Sequence, residues 1–162
     1  MGRMDGYPYR IEARAGDLTL LWRPGEGDGL DEFAVDDRGR LLVFPDRASL
    51  RAYAAHATWT VLWEGEAELD LDAVRAWVER PGTASVPPGS LLNAWHFVED
   101  LARSVGDGTL RSSRGTVIDS AWEKIYGEEP WTAEEAAAVR ELLREGLDLW
   151  EDAVRGAPGV RA

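Results

Sequence analysis

The stretch from Ser90 to Val105, SLLNAWHFVEDLARSV, decides how the rest of the chain is read. Leu91, Ala94, Trp95, Val98, Leu101, Ala102 and Val105 fall at helical spacings and form one continuous apolar stripe. Ser90 stands where an N-cap belongs, able to accept a hydrogen bond from an unpaired amide. Gly106 stands where a left-handed residue would end the helix. The other side carries Asn93, His96, Glu99, Asp100 and Arg103. His96 and Asp100 are four apart, as are Glu99 and Arg103, so each pair can meet on a helix surface. The pattern predicts a central helix with one face on a core and a solvated polar face opposite.

Before this helix the sequence is strand-rich. Tyr9, Ile11 and Ala13 alternate with charged residues, Ala15-Gly16-Asp17 offers a turn, and Leu18 to Trp22 forms an apolar run, so a hairpin is expected. Residues 24–29, PGEGDG, read as a loop. Phe33 and Val35 then alternate with acids, Asp37-Arg38-Gly39 can turn, and Leu41 to Phe44 supplies another strand. The order suggests an antiparallel meander. Asp46 can cap a short helix over residues 47–57, Thr58 to Trp63 can return to the sheet, and Asp70 or Asp72 can cap a helix carrying Val74, Trp77 and Val78.

After the central helix and a glycine-punctuated stretch over residues 106–115, Val117, Ala121, Trp122 and Ile125 indicate a helix over 116–126. Thr132-Ala133-Glu134-Glu135 is a capping box, in which the Thr132 hydroxyl serves the Glu135 amide while the Glu135 carboxylate reaches back. The helix that it opens carries Val139, Leu142, Leu143, Leu147, Trp150 and Val154. The fold class expected is α+β. An N-terminal antiparallel sheet of about four to five strands with two short helices (residues 7–80) is joined by a connection (81–89) to a three-helix part (90–156) packed on it. The eight tryptophans are spread from the first hairpin to the last helix, so residues 1–162 are expected to form a single domain.

Eighteen basic residues against thirty acidic ones give a net charge of −12 that divides evenly between the front and back of the chain. Nucleic-acid binding needs cations that displace counterions from phosphates, so this balance opposes direct nucleic-acid contact and favours a basic partner. The absence of cysteine excludes disulfides, thiol nucleophiles and thiolate metal sites. No apolar run is long enough to span a bilayer, so no membrane association is expected, and a cytoplasmic location fits.

Three groups of residues bear on chemistry. His96 with Glu99 and Asp100 could form an acid–base or metal-assisted centre, since nearby carboxylates orient an imidazole and raise its pKa. No serine lies in a nucleophile elbow and only two histidines exist, so a solvated polar face is the better reading. Phosphate-cradling loops are absent, and Asp28, Asp31 and Glu32 lack the spacing of a calcium loop, so neither a cofactor nor a metal is expected. The acidic clusters say more. Glu26, Asp28, Asp31, Glu32, Asp36 and Asp37 form the first, and Glu64, Glu66, Glu68, Asp70 and Asp72 alternate in a second, which an extended chain would project to one side. Glu145, Asp148, Glu151 and Asp152 form a third, on the last helix.

The expectation is a non-enzymatic, bacterial-type acidic binding module. It would act as an immunity or inhibitor protein that docks on and neutralises a cationic partner such as a toxin, using Glu26, Asp28, Asp31, Glu32, Asp36, Asp37, Glu64, Glu66 and Glu68, with exposed tryptophans as anchors. The alternatives are a small hydrolase or metal-assisted enzyme centred on His96, Glu99 and Asp100, and a structural subunit of a larger assembly.

Overall fold

A computed structural model describes residues 4–25, 31–57, 59–80, 88–106, 116–126 and 129–158. Its longest strand, β1 (Met4–Glu12), turns through Gly16, whose φ of 131° suits glycine, into β2 (Leu18–Arg23). The two pair antiparallel with Tyr9 opposite Leu20. β3 (Glu32–Phe33) and β4 (Val43–Phe44) do not continue a meander outward. Both lie antiparallel to β2, Phe33 opposite Trp22 and Val43 opposite Leu20, as two pieces of one broken edge. Between them the chain makes a small hairpin excursion, bridged from Val35 to Leu41 and turned at Gly39. The Asp36 carboxylate holds that turn by accepting the Arg38 and Arg40 backbone N–H groups, each at 2.9 Å.

The other edge of β1 is broken in the same way. β5 (Trp59–Val61) runs parallel to Met4–Gly6, and β6 (Ala67–Asp70) runs parallel to Tyr9–Glu12, with a 3-10 turn over Trp63–Gly65 between them. The α+β class therefore stands, with two refinements: a sixth strand, and parallel pairing on one side of β1. Parallel pairing needs a crossover, and α1 (Arg47–His56) lies between β4 and β5 in the chain. The Asp46 carboxylate caps α1 by accepting the Ser49 N–H at 2.7 Å.

Alternation along β2 sorts the core. Leu21 joins Ala34, Phe44 and Trp59 under Leu50 and Ala54 of α1. Leu20 joins Ile11, Phe33, Val43 and Leu69 on the opposite face, in a larger cluster with the remaining helices. These are α2 (Leu71–Glu79), α3 (Pro88–Ser104), α4 (Thr116–Tyr126) and α5 (Ala133–Gly156). The same apolar cluster thus takes residues from the front strands and from all three rear helices. No described helix is long and apolar enough to cross a membrane.

α2 is capped by Asp70, which accepts the Ala73 N–H at 3.0 Å. α3 begins at Pro88, so Ser90 lies inside its first turn and is not the N-cap. Proline is favoured at a helix start because the N–H that it lacks would be unpaired there. The far end is as expected: Gly106 takes φ 73° and donates to the Arg103 carbonyl at 3.3 Å. The connection at 81–87 and the stretch 107–115 lie outside the described residues.

The capping box at Thr132 is present, and its glutamate reaches further than a cap requires. Glu135 is buried, and its carboxylate also takes the Lys124 ammonium and the Ser120 hydroxyl, both at 2.6 Å. One side chain so joins α4 to the start of α5. The Lys124 ammonium first, then the Ser120 hydroxyl and the Thr132 amide, hold its pKa down to about 2.

α3 and α5 come close together at Gly146. A Cβ added there would lie 2.6 Å from the Cβ of Val98 and closer still to its Cγ1. Gly146→Ala is therefore expected to lower the unfolding free energy by about 1–3 kcal/mol, since overpacking outweighs the ~1 kcal/mol helix-propensity gain. In urea denaturation, adding Val98→Ala should recover part of that loss, giving non-additive energies in the cycle. Glu135→Gln tests the cap. Because the native carboxyl titrates below its unfolded value, its contribution is present above about pH 4.5 and is lost as pH falls toward about 2. The stability gap between native protein and Glu135→Gln should be full at neutral pH and close over that window.

Candidate functional site

The polar side of α3 is solvated only in part: Asn93 and His96 are exposed, but the residues nearer the sheet are not. Phe97, outside the apolar stripe, is 2% exposed, and Asp100 only 9%. Phe97 enters an aromatic group with its ring 5.8 Å from Tyr9, 5.5 Å from Phe33 and 5.6 Å from Trp150. The packed surface of α3 therefore extends beyond the helical stripe to the side that meets the sheet. Asp100 follows Phe97 by three residues and is carried into the same seam.

The Asp100 carboxylate is placed by partners from two directions. Its Oδ1 accepts from Arg103 Nη1 at 3.0 Å, and its Oδ2 from the Trp22 indole N–H at 3.4 Å. Arg103 also donates to the Asp31 carbonyl, while the Ser104 hydroxyl donates to the Asp100 carbonyl at 2.6 Å and accepts the Phe33 amide at 2.8 Å. This stitches α3 to the β3 edge. Burial pushes the Asp100 pKa up, against the hydrogen bonds from Arg103 and Trp22 that pull it down. Burial also raises the Tyr9 phenol, with the Asp100 charge adding to the effect.

Tyr9, Trp22, Phe97 and Ala67 form the apolar walls of a cleft of about 280 Å³, and Asp31, Glu68, Asn93, His96 and Asp100 supply its polar groups. Three separate stretches of sequence meet here. Asp31 comes from the first acidic cluster, Glu68 from the second, and His96 and Asp100 from α3. A larger depression of about 580 Å³ lies beside the β1–β2 turn, where Arg75 and Glu151 pair at 3.1 Å across apolar residues such as Leu18 and Trp150. It contains none of the acids of the first cluster and none of the His96 group.

The other expected site residues are dispersed. Glu32 pairs with Arg23 beside β3, Asp36 holds the hairpin turn, and Asp37 is exposed. Glu26 and Asp28 fall outside the described residues. The second cluster is not an extended row. Glu64 lies in the 3-10 turn, Glu66 pairs with Arg47, Glu68 pairs with Arg10, Asp70 caps α2, and the Asp72 carboxylate accepts the Arg14 amide at 2.7 Å. The chain turns at Trp63–Gly65, where the Tyr7 ring packs against Gly65 in the space a side chain would fill, and the turn breaks the alternation.

The proposed acid–base group is also rearranged. Arg103 engages Asp100, in place of the Glu99–Arg103 pairing suggested by spacing. The Asp100 carboxylate faces Arg103 and Trp22, and the exposed His96 ring packs edge-on against Trp122 at 5.1 Å. Among the described residues no group of three His, Asp or Glu side chains is placed to hold a metal ion. The tryptophans are buried or half-buried, so they are not the exposed anchors expected. Sequence reading missed Tyr9, Trp22 and Phe97 as cleft residues. The available signal was Phe97 itself, an aromatic interrupting the polar side of the helix.

No known protein family matches the chain, and no curated protein matches it. Among solved structures it is similar to the crystal structure of the SatS C-terminal domain in complex with bromine, with 18% identity over 91% of each chain and a TM-score of 0.53. The likeness is one of fold.

Asp100 supplies a test opposite in sign to that of Glu135. A carboxyl whose folded pKa is raised contributes stability at low pH that is lost as pH rises through the folded value. Asp100→Asn removes that titration. Measured by urea unfolding, the variant's stability relative to the native protein should therefore improve from about pH 3 to about pH 7. A relative decline over the same range would show that Arg103 overcompensates the buried charge.

Proposed function

We propose that this chain is a non-enzymatic protein-binding module of immunity or inhibitor type, which docks through acidic groups on a basic partner such as a bacterial toxin. The observation that carries this reading is the convergence of Asp31, Glu68 and Asp100, from three distant stretches, on one aromatic-walled cleft. A net charge of −12 supports it, because a field of one sign accelerates encounter with an oppositely charged surface. The contact residues proposed are fewer than the acidic clusters contain. Asp31 and Glu68 line the cleft, Glu68 while paired with Arg10, whereas Glu32, Asp36 and Glu66 pair with arginines away from it.

The reading is tested by affinity capture from the native cell at low salt, including the product of any adjacent gene, followed by salt titration with each captured protein. A basic partner whose association slows with salt, and slows further after Asp31→Lys or Glu68→Lys, is the expected result. Capture of no basic protein at low salt, or binding indifferent to both charge reversals and to salt, would overturn it.

A further inference from the structure

Resting on that docking reading, we infer that the cleft between α3 and the β1–β2 hairpin receives one guanidinium group, an arginine side chain of the basic partner. At about 280 Å³ the cleft falls below the roughly 300–1,000 Å³ of sites that enclose drug-sized ligands, and suits a side chain. Its walls fit a flat, weakly hydrated cation. The half-buried rings of Trp22 and Tyr9 line the opening, and the buried Phe97, stacked against Tyr9 at 27°, backs them. Guanidinium stacks on such faces while donating in its own plane, whereas an ammonium is compact and more strongly hydrated.

The carboxylate at the back has a site for a new donor. Asp100 Oδ1 is engaged by Arg103 at 3.0 Å, but Oδ2 holds an indole N–H at 3.4 Å, long for an N–H···O bond. An incoming guanidinium N–H would make the shorter bond there. The charges around the cleft leave room for one more cation. Asp31, Glu68 and Asp100 line it, while Arg10 offsets Glu68 and Arg103 offsets Asp100. Asp31 directs one carboxylate oxygen to the Gly25 amide at 2.8 Å.

The test is an NMR titration of the full chain with N-acetylarginine methylamide, against the uncharged citrulline analogue, the lysine analogue and matched sodium chloride. The Trp22 indole N–H, assigned with Trp22→Phe, should shift saturably with the arginine compound and stay still with citrulline and salt. The lysine compound should bind more weakly. Asp100→Asn should weaken arginine binding by about tenfold or more, as expected for losing a charged hydrogen-bond partner. Glu68→Gln, at an exposed position, should weaken it without disturbing the fold. Equal responses to arginine and citrulline, or shifts scattered over surface acids with Trp22 unmoved, would overturn the inference.

The two readings fail separately. A captured basic partner that leaves the Trp22 signal in place and binds Asp100→Asn and Glu68→Gln unchanged would remove the guanidinium cleft and leave docking intact. Saturable binding of the arginine compound at Trp22, with no basic protein captured, would support the cleft's chemistry and remove the docking reading, assigning the site to a free guanidinium compound.

Discussion

The approach of α3 to α5 at Gly146 is the constraint on which the rest of the molecule depends. With hydrogen in place of a side chain, α5 comes near enough for Val98 to rest on its backbone. Ala94 and Ala102, both essentially inaccessible, keep the surface of α3 low on its packed side. Close helix approach of this kind relies on small residues, and it leaves little freedom for rotation about the α3 axis. Once α3 is fixed in rotation, Phe97 must enter the sheet side, where Tyr9, Phe33 and Trp150 surround it. Asp100 is then carried below the surface. The burial of an acid beside Trp22 follows from packing set up on the opposite side of the helix.

The sheet meets this helix with four rows, not six full strands, because each outer row is broken once. On one edge the break is the Val35–Leu41 excursion; on the other it is the turn at Trp63–Gly65. Breaks of this sort protect an edge against pairing with another chain by interrupting its ladder of unpaired backbone groups. Here they also place side chains. The turn before β6 sets the register that puts Ala67 opposite Tyr9 and Glu68 opposite Arg10. The first edge brings Asp31 within reach of Arg103.

What the sequence made legible was local. The hairpin at Gly16, the caps at Asp46, Asp70 and Thr132, the stop at Gly106 and the α+β order each rest on a few adjacent residues whose chemistry is decided nearby. What it hid was set by contacts distant in the chain. Alternation over Glu64–Asp72 suggested one extended row, yet only Ala67–Asp70 is a strand, preceded by a turn in which Tyr7 packs on Gly65. The spacing of Glu99 and Arg103 suggested a pair, yet Arg103 reaches Asp100 and the Asp31 carbonyl. Helical periodicity identified the stripe that α3 would bury but could not show that the opposite side would meet the sheet. The candidate site lies on that unseen side, so its acids were named from sequence while its aromatic walls were not.

The negative charge of the chain does several different kinds of work. An acid that caps a helix, holds a turn or pairs with a surface arginine has a local use and contributes to the protein's field only at a distance. Asp46, Asp36 and Glu66 are of this kind. The Glu135 carboxylate is held ionised by Lys124, Ser120 and Thr132, whose hydrogen bonds outweigh the opposing effect of burial. Asp100 differs, since its pKa is raised although Arg103 and Trp22 both donate to it. A buried charge left under-compensated costs stability. Conflicts of this type between local chemistry and fold are expected where a site serves something beyond the fold itself. Among the described acids with resolved shifts, Asp100 alone is held above its ordinary value, and it lines the cleft where the acidic stretches meet. That coincidence, more than the number of acids, is why the α3 seam is the place proposed for a positive group from outside.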